Sequence, residues 1–395
     1  MATRQAFLGS ALFDGERWHT HTALLVEAGQ VVGLVPETDT GTAELTRLPG
    51  RIVPGFIDLQ VNGGGGALFN LTPDVEAIRT ITSAFAPFGT TLCLPTLITD
   101  TPERTDAALR AGIAAHKAGV PGFLGLHLEG PHLAVSRKGA HEPALIRPMD
   151  ESDMARLIAA RPHLPALLIT VAAETVPPAQ IARLTAAGIV VSIGHSDASF
   201  VQMRAAEAAG ASMVTHLFNA QSQMSNREPG VVGAALDSGG LSAGLIADGI
   251  HVAPATMGVA LRAKRGPGRI FLVTDAMSIT GTDWTEFTLT GRTVYRRDGA
   301  LRLADGTLAG ADLTMIDAVR FVHETLGLPL EEALRMASLY PAEALGLEKT
   351  HGHLGPGARA DFVVLDANLQ PRGTWIGGVT CSRLIGPFLS GLFQL

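Results

Sequence analysis

Seven apolar, β-branched runs in this chain of 395 residues end in a side chain that can bind a metal or move a proton, or in its amide counterpart. FIDLQVNG ends near Gln60 and Asn62, FLGLHLEG at Glu129, LLITVAAE at Glu174 and IVVSIGHS at His195. SMVTHLFN ends at His216, GLIADGIH near Asp248 and His251, and IFLVTDAM at Asp275. One further run, TTLCLPTL from Thr90 to Leu97, carries only Thr and Pro, which makes eight. Their lengths suit parallel strands buried on both faces. When chemistry-capable side chains gather at the C-terminal ends of successive parallel strands, the expected architecture is α/β, a (β/α)8 TIM-like barrel with its active site at that face. An enzyme is expected.

One barrel takes about 250 residues, so something smaller is appended. Residues 1–53 alternate as short strands, with turns expected at Asp14-Gly15 and Gly29-Gln30. The same pattern returns from His353 to Cys381, with turns at Pro356-Gly357 and Gly377-Gly378. The economical division is a discontinuous small β-sandwich domain, residues 1–53 plus 353–395, with the metal-dependent hydrolase barrel at 54–352 inserted into it. Helical spacing is present at 73–89, 102–119, 197–210 and 313–327, and several of these segments open with Asp, Ser, Thr or Pro and close with Gly. The apolar last fifteen residues, CSRLIGPFLSGLFQL, are expected to pack as a strand or helix on the small domain or on a partner subunit, with a membrane-associating tail as the minority alternative.

Net charge is −7 without a Lys/Arg cluster, which argues against nucleic acid and anionic membrane as partners. Cys93 and Cys381 lie far apart without CxxC spacing, so neither a disulfide framework nor a thiolate zinc site is expected, and a reducing cytoplasm fits. No stretch reads as a signal peptide or approaches the roughly 18–20 apolar residues of a membrane span.

Divalent zinc or iron takes imidazole and carboxylate ligands, and hydrolysis needs a coordination position left open for water. Glu129, His195 and His216 fit, at the ends of the third, fifth and sixth strands, which a closed barrel converges on one point. His19, His21, His116, His163, His323, His351 and His353 read as ordinary surface or core residues. Asp275 could simply cap a turn. Opposite a barrel metal site, its alternative role as general acid and base is favoured.

The series PGFIDLQVNG, LPTLIT, GLHLEGPH, KGAH, GIVVSIGHSDAS, THLFNA, REPGVVGAALD, GLIADGIHVAP, LVTDAM, GTLAGADLTM and ASLYPAEALGL resembles, in order and across roughly residues 50–365, the N-acetylglucosamine-6-phosphate deacetylases of the amidohydrolase superfamily. The resemblance implies removal of acetate from the acetamido group of an amino-sugar 6-phosphate. It implies Glu129, His195 and His216 as metal ligands and Asp275 as catalytic acid/base. Ala140, His141, Asn219, Ala220, Arg227, His251, Leu308, Ala309 and Gly310 are implied as substrate contacts, with Arg227 and His251 taking the phosphate at a homodimer interface. His141 could polarise the acetamide carbonyl, and Arg227 offers a bidentate fork.

Many amidohydrolases carry His-x-His at the first strand's end, where this chain has Gln60-Val61-Asn62. Amides are poor zinc ligands. One divalent metal per chain is therefore expected, Zn2+ first, with Fe2+ or another divalent ion as alternatives. Gln60 is expected to contact water or a weak second metal. Glu174 stands at the fourth strand's end, where a metal-bridging carboxylated lysine would otherwise be sought. The rival readings are a deacetylase of N-acetylgalactosamine 6-phosphate or of another N-acyl substrate, and a non-catalytic sugar-phosphate sensor. Gly63–Gly66 is a plain glycine run, not a dinucleotide fingerprint.

Overall fold

The computed structural model describes residues 4–384. Eight parallel strands form one sheet in strict chain order: Phe56–Val61, Thr90–Ile98, Leu126–Glu129, Leu167–Val171, Val190–Ile193, Met213–Val214, Ser242–Leu245 and Ile270–Leu272. Every expected run thus supplies a strand. The sheet curls until its edges meet: Val61 bridges Ala276 in parallel, and the Asp275 N–H donates to the Gln60 carbonyl at 3.0 Å. Phe56–Val61 and Thr90–Ile98 are buried at every position. Side chains pointing inward meet the barrel interior and those pointing outward meet helices, which is why these runs are continuously apolar.

Helices occupy the four segments with helical spacing. Asp74 caps Val75–Phe85 and Thr101 caps Pro102–Lys117, each accepting from a first-turn N–H. Ser199 and Gln202 form a reciprocal capping box on Phe200–Ala208. Met315–Arg320 continues into one π-helical turn, Phe321–Thr325.

Two further sheets face each other beside the barrel. One has the order Gln30–Pro36, Thr22–Glu27, Gln5–Leu8, Glu44–Arg47. The other runs Val379–Thr380, Pro371–Ile376, Phe362–Leu365, Arg51–Pro54, Ala11–Phe13, Trp18–His19, so strands from both chain ends interleave. Phe7, Leu24 and Val26 of the first share a core with Ile52, Phe362 and Val364 of the second. The Phe362 and Trp375 rings stack with centroids 4.8 Å apart. The turn before Gln30 is formed by Ala28 and Gly29, both left-handed at φ 50° and 80°, one residue earlier than the expected Gly29-Gln30. Arg51–Pro54 passes through Gly55 into the first barrel strand; a Cβ on Gly55 would come within 2.3 Å of the Thr91 side chain.

One element falls outside the barrel template. Between Ile270–Leu272 and Met315–Arg320 stands a three-stranded antiparallel sheet, Glu286–Leu289, Arg292–Arg297 and Ala300–Leu303. Its turns, Thr290-Gly291 and Asp298-Gly299, are left-handed at all four residues. Phe287, Leu289, Val294 and Leu301 pack on Leu68, Ile98, Met277 and Ile279, which fastens this insert over the mouth of the barrel. Among the described residues no helix is long and apolar enough to cross a membrane. Cys381–Leu384 is helical, and the rest of the apolar tail, 385–395, lies outside the described residues.

Candidate active site

The strand ends turn sharply to present their side chains. His195, His216 and Asp275 adopt left-handed backbone conformations, φ 48°, 26° and 53°, directly beyond their strands. An L-residue there costs about 1–2 kcal/mol, so the surrounding structure holds three strained positions around one point. Glu129 closes its strand, and Gly130 at φ 91° makes the turn instead.

His216 Nε2 lies 3.0 Å from Glu129 Oε1, His195 Nε2 lies 3.3 Å from the same oxygen, and the two imidazole nitrogens are 3.1 Å apart. Two ligands bound at about 2.05 Å on a tetrahedral ion sit about 3.3 Å apart, so the triangle has the dimensions of a metal's ligand set. Its chemistry agrees. His195 Nδ1 lies 2.8 Å from the Arg137 carbonyl and donates to it, which leaves a lone pair on Nε2. His141 Nε2 stands 3.8 Å from Glu129 Oε2, so His141 also groups with Glu129 and His195. The triangle with His216 is the tighter of the two.

Electrostatics follow from burial and from these contacts. Burial by itself would raise the Glu129 carboxyl, but hydrogen bonds and charge from His195 and His216 outweigh it and hold the group well below the usual range. Burial likewise disfavours charge on His216, and Glu129 overrides it upward. His141 has no carboxylate that close: burial, followed by the His195 charge, takes it down to about 3. Thr99 sets its tautomer. The Thr99 N–H donates to His141 Nδ1 at 3.4 Å and the Thr99 hydroxyl lies 2.7 Å from the same atom, which leaves a neutral Nε2–H donor.

Asp275 faces this group across the barrel seam. Burial, then the Glu129 charge, pushes its carboxyl up to about 6. Asn62 Nδ2 donates to Asp275 Oδ1 at 2.7 Å; Gln60 Nε2 donates to the same oxygen at 3.1 Å and to Glu129 Oε1 at 2.9 Å. Both amides therefore turn nitrogen, not oxygen, toward the centre. His251 is held by Asp248, with Nδ1 2.6 Å from Oδ2.

A cavity of about 360 Å³ opens above these groups, a size suited to a small molecule. Glu129, His195, His216 and Asp275 form its floor with Asn62 and His141, while Ala140, Asn219, Ala220, His251 and Leu308–Gly310 line its walls. Gln60 sits just beneath, bonded to both carboxylates. Two sequence candidates fall elsewhere. Arg227 is exposed and does not line the cavity, and Glu174 turns away to accept from the Ser196 hydroxyl and the Asp197 N–H. Asn62 as the anchor of Asp275, Thr99 as the partner of His141, and Arg302 in the cavity lining are places at the site to which strand-end reasoning gives no such role.

Residues 51–381 match the model of the amidohydrolase family. The chain is 44% identical over 365 residues to an N-acetylgalactosamine-6-phosphate deacetylase of Shewanella sp. (strain ANA-3), covering 91% of each chain. Among solved structures, an N-acetylglucosamine-6-phosphate deacetylase from Pasteurella multocida superposes with TM-score 0.91 at 34% identity, covering 95% of this chain and 99% of that one. A mutant N-acetyl-D-glucosamine-6-phosphate deacetylase from Mycobacterium smegmatis, in complex with N-acetyl-D-glucosamine-6-phosphate, superposes with TM-score 0.88 at 32% identity, covering 96% and 99%.

Proposed function

The chain belongs to the amidohydrolase family, and from that membership we propose that it hydrolyses the acetamide of N-acetylglucosamine 6-phosphate to glucosamine 6-phosphate and acetate. The observation that carries this reading is the buried Asp275 carboxyl facing the Glu129/His195/His216 triangle at the floor of one cavity, with Gln60 bridging the two carboxylates.

Glu129, His195 and His216 are the proposed holders of one divalent ion, Zn2+ first because one carboxylate and two imidazoles suit it, with Fe2+ and other divalent ions as alternatives. An ion held there supplies Lewis-acid polarisation of the amide and acidifies water. Asp275 takes the proton of the attacking water and passes it to the departing amine, a shuttle suited to a carboxyl raised toward neutrality. Asn62 and Gln60 fix its orientation. His141, neutral with its proton on Nε2, donates to the acetamide oxygen. Gln60, with its nitrogen committed to two carboxylates, orients water and leaves no second ion tightly held. The backbone at Ala140, Asn219, Ala220 and Leu308–Gly310 meets the sugar.

The phosphate is assigned to His251 and Arg227. Because Arg227 is exposed and off the cavity of its own chain, this role requires a homodimer in which it reaches the site of the second copy. The β-sandwich of residues 1–53 with 353–395, the barrel at 54–352 and a cytoplasmic location complete the proposal.

A second reading, the galacto epimer as substrate, is favoured by the 44% identity to a galactosamine enzyme. Acetate release from N-acetylglucosamine 6-phosphate, its galacto epimer and unphosphorylated N-acetylglucosamine tests both. Highest kcat/KM on the gluco phosphate upholds the proposal, preference for the epimer selects the second reading, and no release from any of them rejects deacetylation of these sugars.

A further inference from the structure

The insert over the barrel mouth holds three arginines that form no ion pair among the described residues, and one of them, Arg297, lies over the Tyr295 ring, 4.6 Å from its centroid. Arg292 donates through Nη2 to the Ala140 carbonyl and, at 3.2 Å, to the Thr290 hydroxyl, which ties the insert to the loop carrying His141. Arg302 is different. It donates through Nη1 to the Gly306 carbonyl at 3.1 Å, and no other protein acceptor is within reach of its guanidinium among the described residues. Its neighbours Leu301 and Leu303 point into the insert's core, so strand alternation turns Arg302 to the opposite face. Arg302 lines the cavity, and among the described residues it is the only arginine or lysine that does so. A bridge from Arg302 to Leu308 seats it against the Leu308–Gly310 stretch.

We propose that Arg302 is a further specificity-determining residue, contributed in cis, whose open guanidinium donors bind the 6-phosphate of the sugar alongside His251 and the Arg227 of the second copy; the assignment rests on the function proposed above. A dianion entering this cavity meets the carboxylates of Glu129 and Asp275 on the floor, in a chain whose net charge of −7 gives it no general attraction. Binding therefore needs a cation placed at the wall and away from the floor. A planar fork with free N–H groups matches phosphate oxygens in pairs, which an ammonium does not.

The test compares the wild type with Arg302→Ala and Arg302→Lys, all matched for metal content and melting temperature, on N-acetylglucosamine 6-phosphate and N-acetylglucosamine. In Arg302→Ala the ratio of kcat/KM for the phosphorylated over the unphosphorylated sugar falls about 10- to 100-fold, mostly through KM, as loss of a charge-assisted contact requires. Arg302→Lys recovers part of it. Equal losses on both sugars overturn the assignment. Calorimetric titration with inorganic phosphate adds a readout that needs no turnover. If the wild type turns over neither sugar, the proposed function falls, while weaker phosphate binding in Arg302→Ala still upholds the role of Arg302 and unchanged binding overturns it.

Discussion

Asp275 is the residue on which the proposed chemistry turns, because among the described residues it alone combines burial, a raised carboxyl and two amide donors fixing its direction. Asp275→Asn keeps the shape and removes proton acceptance, so turnover should fall about 10²- to 10⁴-fold while the metal content of the purified protein is unchanged. Near-normal turnover would reduce Asp275 to a turn former. Asp58, two positions before Gln60, offers a second test. Burial pushes its carboxyl up to about 7 although Thr274 and the Gln60 N–H bond to it. A carboxyl raised on folding binds its proton more tightly in the folded state, so its contribution to stability is complete below about pH 4, the unfolded value, and is lost as pH rises through about 7. Asp58→Asn has no such proton, and its urea midpoint relative to wild type should climb between pH 4 and pH 7; a constant difference would reject the raised value. Glu129, His195, His216 and Asp275 are legible in the sequence because each ends an apolar run. Asn62, Thr99 and Asp58 act through hydrogen bonds between segments far apart in the chain, and no local pattern announces such pairings.

Among the elements, the barrel strands are legible for a physical reason: a strand covered on both faces has no place for polar alternation. The insert carries its own signal in the alternation around Thr290-Gly291 and Asp298-Gly299, which an eight-strand template passes over. The loop after Glu129 is braced in a way residue types alone do not reveal. Arg147 forks onto Asp153, Arg156 adds a bond at 2.9 Å, and Asp153 also completes the capping box that starts Glu151–Ala160. His132 packs 3.8 Å from the same carboxylate. Asp153 is 4% exposed, whereas the Arg147 side chain is 30% exposed and regains water when its partner is removed. Asp153→Ala should accordingly cost roughly 2–3 kcal/mol, less than the loss of a fully buried pair, read as a lowered urea midpoint at constant m-value. A change below about 0.5 kcal/mol would show the brace to be ornamental.

For the whole molecule, the proposed ligand set implies about one divalent ion per chain, bound by the folded form alone. Chelation should abolish acetate release and lower the melting temperature, since a ligand at 100 times its Kd adds about 2.7 kcal/mol of stability. Two tightly held ions by elemental analysis, or turnover that survives chelation, would contradict the single-site scheme. Light scattering should report a homodimer, and Arg227→Ala should raise KM for the phosphorylated sugar about 10- to 100-fold; an active monomer removes the shared site. The left-handed backbone at His195, His216 and Asp275 sets the stability of the chain against the proposed chemistry. Glycine adopts that conformation without the steric penalty, so replacing any of the three by glycine relaxes the backbone at the same stroke that removes the side chain. A fold tuned for firmness alone would do better with glycine at each of these places.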